Sequence, residues 1–203
     1  MRRGNASSGR GVDHDLPAVE GQVFDGNDYT EQPLPRAAYE RCTFTNCTFP
    51  KSDLSAIAFR DCAFDGCDFS NARLVATSLN DVRFVRCKLM GVHFEQCNTL
   101  LMTVGFDECM MQFASFLRLP LKHTRFRNCY LQEVDFTDAD LTRSVFERCD
   151  LERAIFDNTN LTMADLRSSF NYAINPERNK LKKAEFSLAG VVGLLGKYDI
   201  VVR

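Results

Sequence analysis

Tryptophan is absent, and the three histidines, His14, His93 and His123, are scattered singly along the chain. No serine–histidine–aspartate set or carboxylate pair stands apart from the polar surface. The glycines are dispersed rather than gathered into a phosphate-binding loop. These absences argue against an enzyme, leave no catalytic residue and no cofactor to expect, and exclude a small-molecule substrate. Every apolar run is shorter than the ~18 residues that would span a bilayer, so no membrane partner is expected. Basic residues near the N-terminus are not followed by an apolar stretch, unlike a secretory signal. The expected location is cytoplasmic. The net charge of −2 supplies no overall basic field for nucleic acid. Its distribution is uneven, however. Residues 21–170 carry 16 basic and 21 acidic side chains, a net of −5, whereas residues 171–203 carry six basic and three acidic.

What the sequence does have is a spacing. Phe-x-x-Cys occurs six times, as Phe44/Cys47, Phe64/Cys67, Phe84/Cys87, Phe106/Cys109, Phe126/Cys129 and Phe146/Cys149. The unit returns at every twentieth position, except that the middle step, from Phe84 to Phe106, is longer by two. Between these units an apolar residue recurs at every fifth position from Phe24 to Phe94 and, after a two-residue slip near Asn98-Thr99-Leu100, from Leu101 to Leu166. A period of five is neither the 3.6 of a helix nor the 2 of a strand. It marks a repeat architecture. Two residues before each of these centres the side chain is nearly always small or a thiol, and all nine cysteines occupy that position. Each group of five therefore turns one large and one small side chain inward and three outward.

The cysteines stack like on like only if one turn takes four sides of five. Parallel stacking of such turns gives an all-β solenoid of about eight coils, spaced about 4.8 Å apart and about 38 Å long in all. Residues 1–20, polar and aperiodic, are expected to form a flexible tail, residues 21–170 the β-helix, and residues 171–203 a capping and dimerisation segment. In that last segment Ser187 as N-cap and Gly196 as stop predict a short helix over 187–196, and Tyr198–Val202 predicts a short final strand. The apolar residues of the helix point almost all round and need a partner, either the open end of the solenoid or a second copy of the chain.

The cysteine spacings are not those of zinc motifs, so the thiols are expected to be buried packing residues, with no metal site. Among outward positions the densest acidic run comprises Glu133, Asp135, Asp138, Asp140, Glu147, Asp150, Glu152, Asp157 and Asp165, set against Arg143, Arg148 and Arg153. Two readings compete. The acids can form a negative face that steers a basic partner. Alternatively, aspartate just before each centre fits the corner turns and keeps the rod soluble.

The units Ala139-Asp140-Leu141, Cys149-Asp150-Leu151 and Ala164-Asp165-Leu166 resemble those of pentapeptide-repeat proteins over residues 24–166. The resemblance implies a right-handed quadrilateral parallel β-helix. The Asn-Tyr-x-Ile break at 171–174 and the stretch Lys182-Lys183-Ala184-Glu185-Phe186-Ser187-Leu188 are similar to the albicidin-resistance and Qnr-type group. That likeness implies a homodimer through the C-terminal segment, here Leu188, Val191, Val192, Leu194 and Leu195. It also implies a non-enzymatic DNA mimic that binds DNA gyrase or another type II topoisomerase and modulates it or shields it from inhibitors such as quinolones. The large projecting loops common in Qnr-type proteins are missing, since the slip near residue 99 is the only interruption. The alternative is a scaffold solenoid with an unrelated protein partner.

Overall fold

A computed structural model describes residues 16–198 and 200–202. The chain winds as a four-sided parallel β-solenoid. On one side, called here the first face, seven short strands stack in the order β2 (Val23–Asp25), β4 (Thr43–Thr45), β6 (Ala63–Asp65), β8 (Val82–Val85), β9 (Val104–Asp107), β10 (Arg125–Arg127) and β11 (Val145–Glu147). The side that precedes it in each coil, the fourth face, carries β1 (Ala18–Glu20), β3 (Ala38–Glu40), β5 (Ala58–Arg60) and β7 (Ser78–Asn80). Every pairing is parallel and places each centre on its equivalent, as in Phe44↔Phe64 and Phe126↔Phe146. The second and third faces are joined by single bridges such as Met110↔Tyr130 and Ser115↔Asp135.

The seven strands of the first face enclose six full turns, fewer than the eight expected. Single bridges carry the same column on through Val145↔Asp165 and Asp165↔Glu185. Strand β1 also lies within residues 1–20, so Ala18–Glu20 belong to the rod rather than to a tail. Residues 1–15, which include His14, lie outside the described residues.

The interior is filled by the two inward positions. First-face rings from Phe24 to Phe146 stack nearly parallel at 4.6–5.4 Å. Past Phe94 they meet a second stack, Phe94–Phe116–Phe136–Phe156, edge to face. All nine cysteines are buried and free, as their spacing predicts. Many of the thiol and hydroxyl residues among the small inward positions also have a hydrogen-bonding task. The Cys87 thiol donates to the Phe64 carbonyl (3.4 Å), Ser52 to Tyr29 (2.8 Å) and Thr159 to Phe136 (2.8 Å), in each case 23 residues back. Cys109 reaches 25 residues back to Phe84 because the two extra residues intervene. Burial raises the Cys62 thiol to about 11, and the neighbouring Cys129 thiol together with burial raises Cys109 to about 12, so neither ionises to a nucleophile at neutral pH. Since Ser169 makes the same bond, to the Phe146 carbonyl, in the same column, Cys109→Ser should cost only about 1 kcal/mol. Cys109→Leu, which overfills the site, should cost about 1–3 kcal/mol. Urea denaturation would rank the two.

The corners explain why five residues suffice for a side. The residue two places after most centres adopts a left-handed backbone, with φ between 51° and 63° at non-glycine positions such as Asn46, Ala76, Phe113 and Glu133. That reversal turns the chain between faces. The slip is confined to residues 99–103. Ser78 bridges Asn98, an ordinary turn further on, while Val82 pairs with Val104, two positions beyond an ordinary turn. Leu100 and Leu101 are left exposed there.

At the C-terminal end the expected helix is replaced by two 3-10 turns, Gly190–Leu194 and Gly196–Tyr198. Ala189 rather than Ser187 takes the N-cap position of the first, although the Ser187 Oγ accepts the Gly190 N–H (3.0 Å). Two internal glycines lower α-helical propensity, and both lie against Tyr172, where a β-carbon would clash. The Ile174 N–H donates to the Gly193 carbonyl (2.9 Å), fixing the turn to the rod. No strand forms over the described residues of 198–202: Ile200, Val201 and Val202 have no ladder to join and stay exposed.

Candidate functional site: the outward surface and the C-terminal segment

With the inward positions consumed by packing, any functional side chain stands on the outward positions or at the end of the rod. The nine acids between residues 131 and 166 are all outward, but they do not share a face. Asp140 lies on the fourth, in the column Pro120↔Asp140↔Asn160. Glu147 and Asp165 lie on the first. Asp150 lies on the second, with Glu152 beside it and Glu133 at its corner. Asp135 and Asp157 lie on the third, with Asp138 at its corner. The run is less than two turns long, and each turn deals its residues out to four sides in succession.

Most of these carboxylates are also committed locally. Glu133 pairs with Arg153 (3.3 Å), Asp138 with Arg118 (3.5 Å), Asp140 with Lys122 (3.3 Å) and Glu147 with Arg148 (2.9 Å). Asp157 pairs with Arg178 (2.5 Å) and Asp165 with Arg167 (2.7 Å). Aspartates just before a centre accept the backbone N–H two residues on. Asp135 takes that of Thr137 (2.8 Å), Asp140 that of Thr142 (3.1 Å), Asp150 that of Glu152 (3.2 Å) and Asp165 that of Arg167 (3.0 Å). These Asx turns shape each side. The Arg167 hydrogen bond holds the Asp165 carboxyl below its usual range. At Asp140 burial opposes ionisation, but bonds from Thr142 and Lys122 outweigh it and the carboxyl is again lowered. Glu152 stands exposed.

The chemistry of the other expected features is equally plain. His93 contacts Glu95 (2.8 Å) at the surface and His123 sits at an exposed corner. Among the described residues no cluster of histidine, cysteine and acid could hold a metal ion, and no helix is long and apolar enough to cross a membrane.

At the C-terminal end the five expected interface residues separate. Leu188 is 91% exposed, and Val191 and Val192 are also exposed. Leu194 instead packs against the core, and Leu195 is half-buried. Ile200, Val201 and Val202, read from sequence as strand, add to the exposed apolar surface, as does Phe170.

A family described as the pentapeptide repeat region matches residues 37–100 and 99–186, so the two matches meet at the slip. The chain belongs to the pentapeptide-repeat family. The fold of this pentapeptide-repeat protein is similar to several solved structures. One is a trypsin-treated form of QnrB1, a plasmid-mediated fluoroquinolone resistance protein, at 20% identity and a TM-score of 0.47, covering 93% of this chain and 98% of that one. Another is HetL, involved in heterocyst differentiation regulation in a Nostoc cyanobacterium, at 17% identity and a TM-score of 0.30, covering 84% of each. A third is a thylakoid-lumen protein of Arabidopsis thaliana, at 18% identity and a TM-score of 0.20, covering 86% of this chain and 79% of that one. No curated protein matches the sequence.

Proposed function

We propose that this pentapeptide-repeat protein is a non-enzymatic, cytoplasmic binding protein whose rod surface engages the DNA-binding surface of a type II topoisomerase such as DNA gyrase. The observation that carries the binding role is the division of labour in each coil: inward residues fill a solid core, and only the outward surface and the exposed C-terminal residues are free to act. The net charge of −5 over residues 21–170 favours a basic partner surface, and the sequence likeness to the Qnr-type group selects the topoisomerase. A homodimer seated on Leu188, Val191 and Val192 would double the length of rod presented.

The test is a gyrase supercoiling assay with purified protein at micromolar concentration, with and without a quinolone. Inhibition of supercoiling, or protection from the drug, supports the proposal, and the absence of both sinks it. Dimerisation is tested separately. Leu188→Asp leaves the repeat folded and should halve the mass seen by light scattering, whereas an unchanged mass removes this segment from the interface. The scaffold reading, with an unrelated protein partner, is favoured by one specific observation: the nine acids are spread over four faces and six of them pair with arginine or lysine.

A further inference from the structure

The first face has one position that the fold does not explain. In the column Val23, Thr43, Ala63, Arg83, Gly105, Arg125, Val145, the residue between the two arginines is glycine, in the interior of β9. A strand interior disfavours glycine unless something approaches the backbone there. Gly105 is not in the left-handed region, and a β-carbon built on it meets nothing within 4 Å. Neither conformation nor packing calls for it. What glycine does is clear the face between two arginines. Arg83 pairs with Gly105 from one side and Arg125 from the other, so their backbones stand two strand spacings apart, about 9.6 Å.

Two shallow grooves, of about 400 and 470 Å³, share Arg83, Gly105 and Arg125 as lining. Neither arginine side chain has a hydrogen-bond or ion-pair partner among the described residues, although the other first-face arginines nearby do. Arg86 is held by Asp65, and Arg127 by Asp107, with Nε to Oδ1 at 2.8 Å. Two exposed arginines without a hydrogen-bond or ion-pair partner among the described residues, one on each side of a cleared strand, suit a compact anion. Guanidinium matches the paired oxygens of phosphate.

We propose that Arg83 and Arg125 hold a phosphate group over Gly105, one arginine on each side. The far rim of the groove narrows the choice of ligand. Asp61 and Asp81 line it one coil apart, both at left-handed corners. A nucleic-acid backbone laid along that corner would pass both carboxylates in succession, whereas a single phosphate over Gly105 needs only the two arginines. The ligand is therefore a free phosphate or a small phosphomonoester. The site is independent of the proposed topoisomerase partner.

The experiment is a ¹H–¹⁵N NMR titration of the full chain with sodium phosphate against sodium chloride at matched ionic strength. The Gly105 amide and the Nε–H signals of Arg83 and Arg125 should shift saturably with phosphate, with an affinity of about 1 mM, and not with chloride. Arg83→Gln and Arg125→Gln should each weaken binding tenfold or more. Gly105→Val should abolish it while leaving the melting temperature unchanged or raised, since valine already occupies position 145 of the same column. A parallel titration with glycerol phosphate distinguishes the sources: tighter binding than inorganic phosphate assigns a phosphomonoester, weaker binding a free phosphate. Equal shifts with chloride, or saturation that survives in the Arg83→Gln/Arg125→Gln double variant, would overturn the site. So would a short single-stranded oligonucleotide binding more tightly than either phosphate.

Discussion

Phe126→Ala should destabilise the protein by about 3–5 kcal/mol. Phe126 is fully buried and touches four other rings. Phe106 and Phe146 stack on it from the adjacent coils at 5.2 and 4.9 Å. Phe116 and Phe136 meet it edge-on from the opposite side, each at 5.9 Å. Such pairs add to the plain cost of removing buried apolar area. Relaxation cannot close the hole, because the strand spacing fixes the distance between rings above and below while the small inward residues are already in contact. Urea denaturation would show the midpoint falling with the slope preserved. A loss under about 1.5 kcal/mol, the size of a volume-conserving swap, would mean that the core is looser than the stacking distances imply.

The second large effect is expected where no repeat exists. Gly193→Val should unseat the C-terminal segment from the rod. A β-carbon at Gly193 would collide with the Tyr172 carbonyl oxygen and lie 2.8 Å from Cδ2 of its ring. The struck atom is backbone, and Tyr172 and its neighbour Ile174 are both part of the buried core, so the turn must move rather than the tyrosine. Its departure breaks the Ile174 N–H to Gly193 carbonyl bond. The local cost is about 1–3 kcal/mol, read as a roughly 10- to 100-fold acceleration of hydrogen exchange at the Ile174 amide, while the amides of β9 and β10 keep their protection. Unchanged exchange at Ile174 would show that the segment is not seated there. If the segment also joins two copies, the same variant should sediment as a monomer.

These two residues mark how far the sequence could be read. Phe126 is legible because its neighbours in space lie one whole turn away along the chain: the period places Phe106 below, Phe146 above and every cysteine inward. Gly193 is not. Its partner Tyr172 stands outside the repeat, at a distance along the chain that no period predicts, and from sequence the two glycines read only as poor helix formers. The acids fall between these cases. Their outward placement followed from the period of five, yet the same count carried through a whole turn separates Asp135, Asp140, Asp150 and Asp165 onto four sides. A run dense along the chain is thus dilute on any one face. What no spacing could supply is that Asp140 and Asp165 are tied to Lys122 and Arg167. Gly105 carried a signal that the repeat concealed: a glycine at an outward mid-strand position with arginine one turn before and one turn after.

The ladder has a mechanical consequence. Its N–H to carbonyl bonds run from each coil to the next, Phe49 to Asp68 and Phe116 to Asp135 for example, and so lie along the long axis. Tension between the two ends loads these bonds in series, like the teeth of a zipper pulled open, and not side by side as in a sheet sheared along its strands. The force needed is that of a single layer, however many layers are stacked. The rod would come apart one layer at a time from whichever end is less firmly closed.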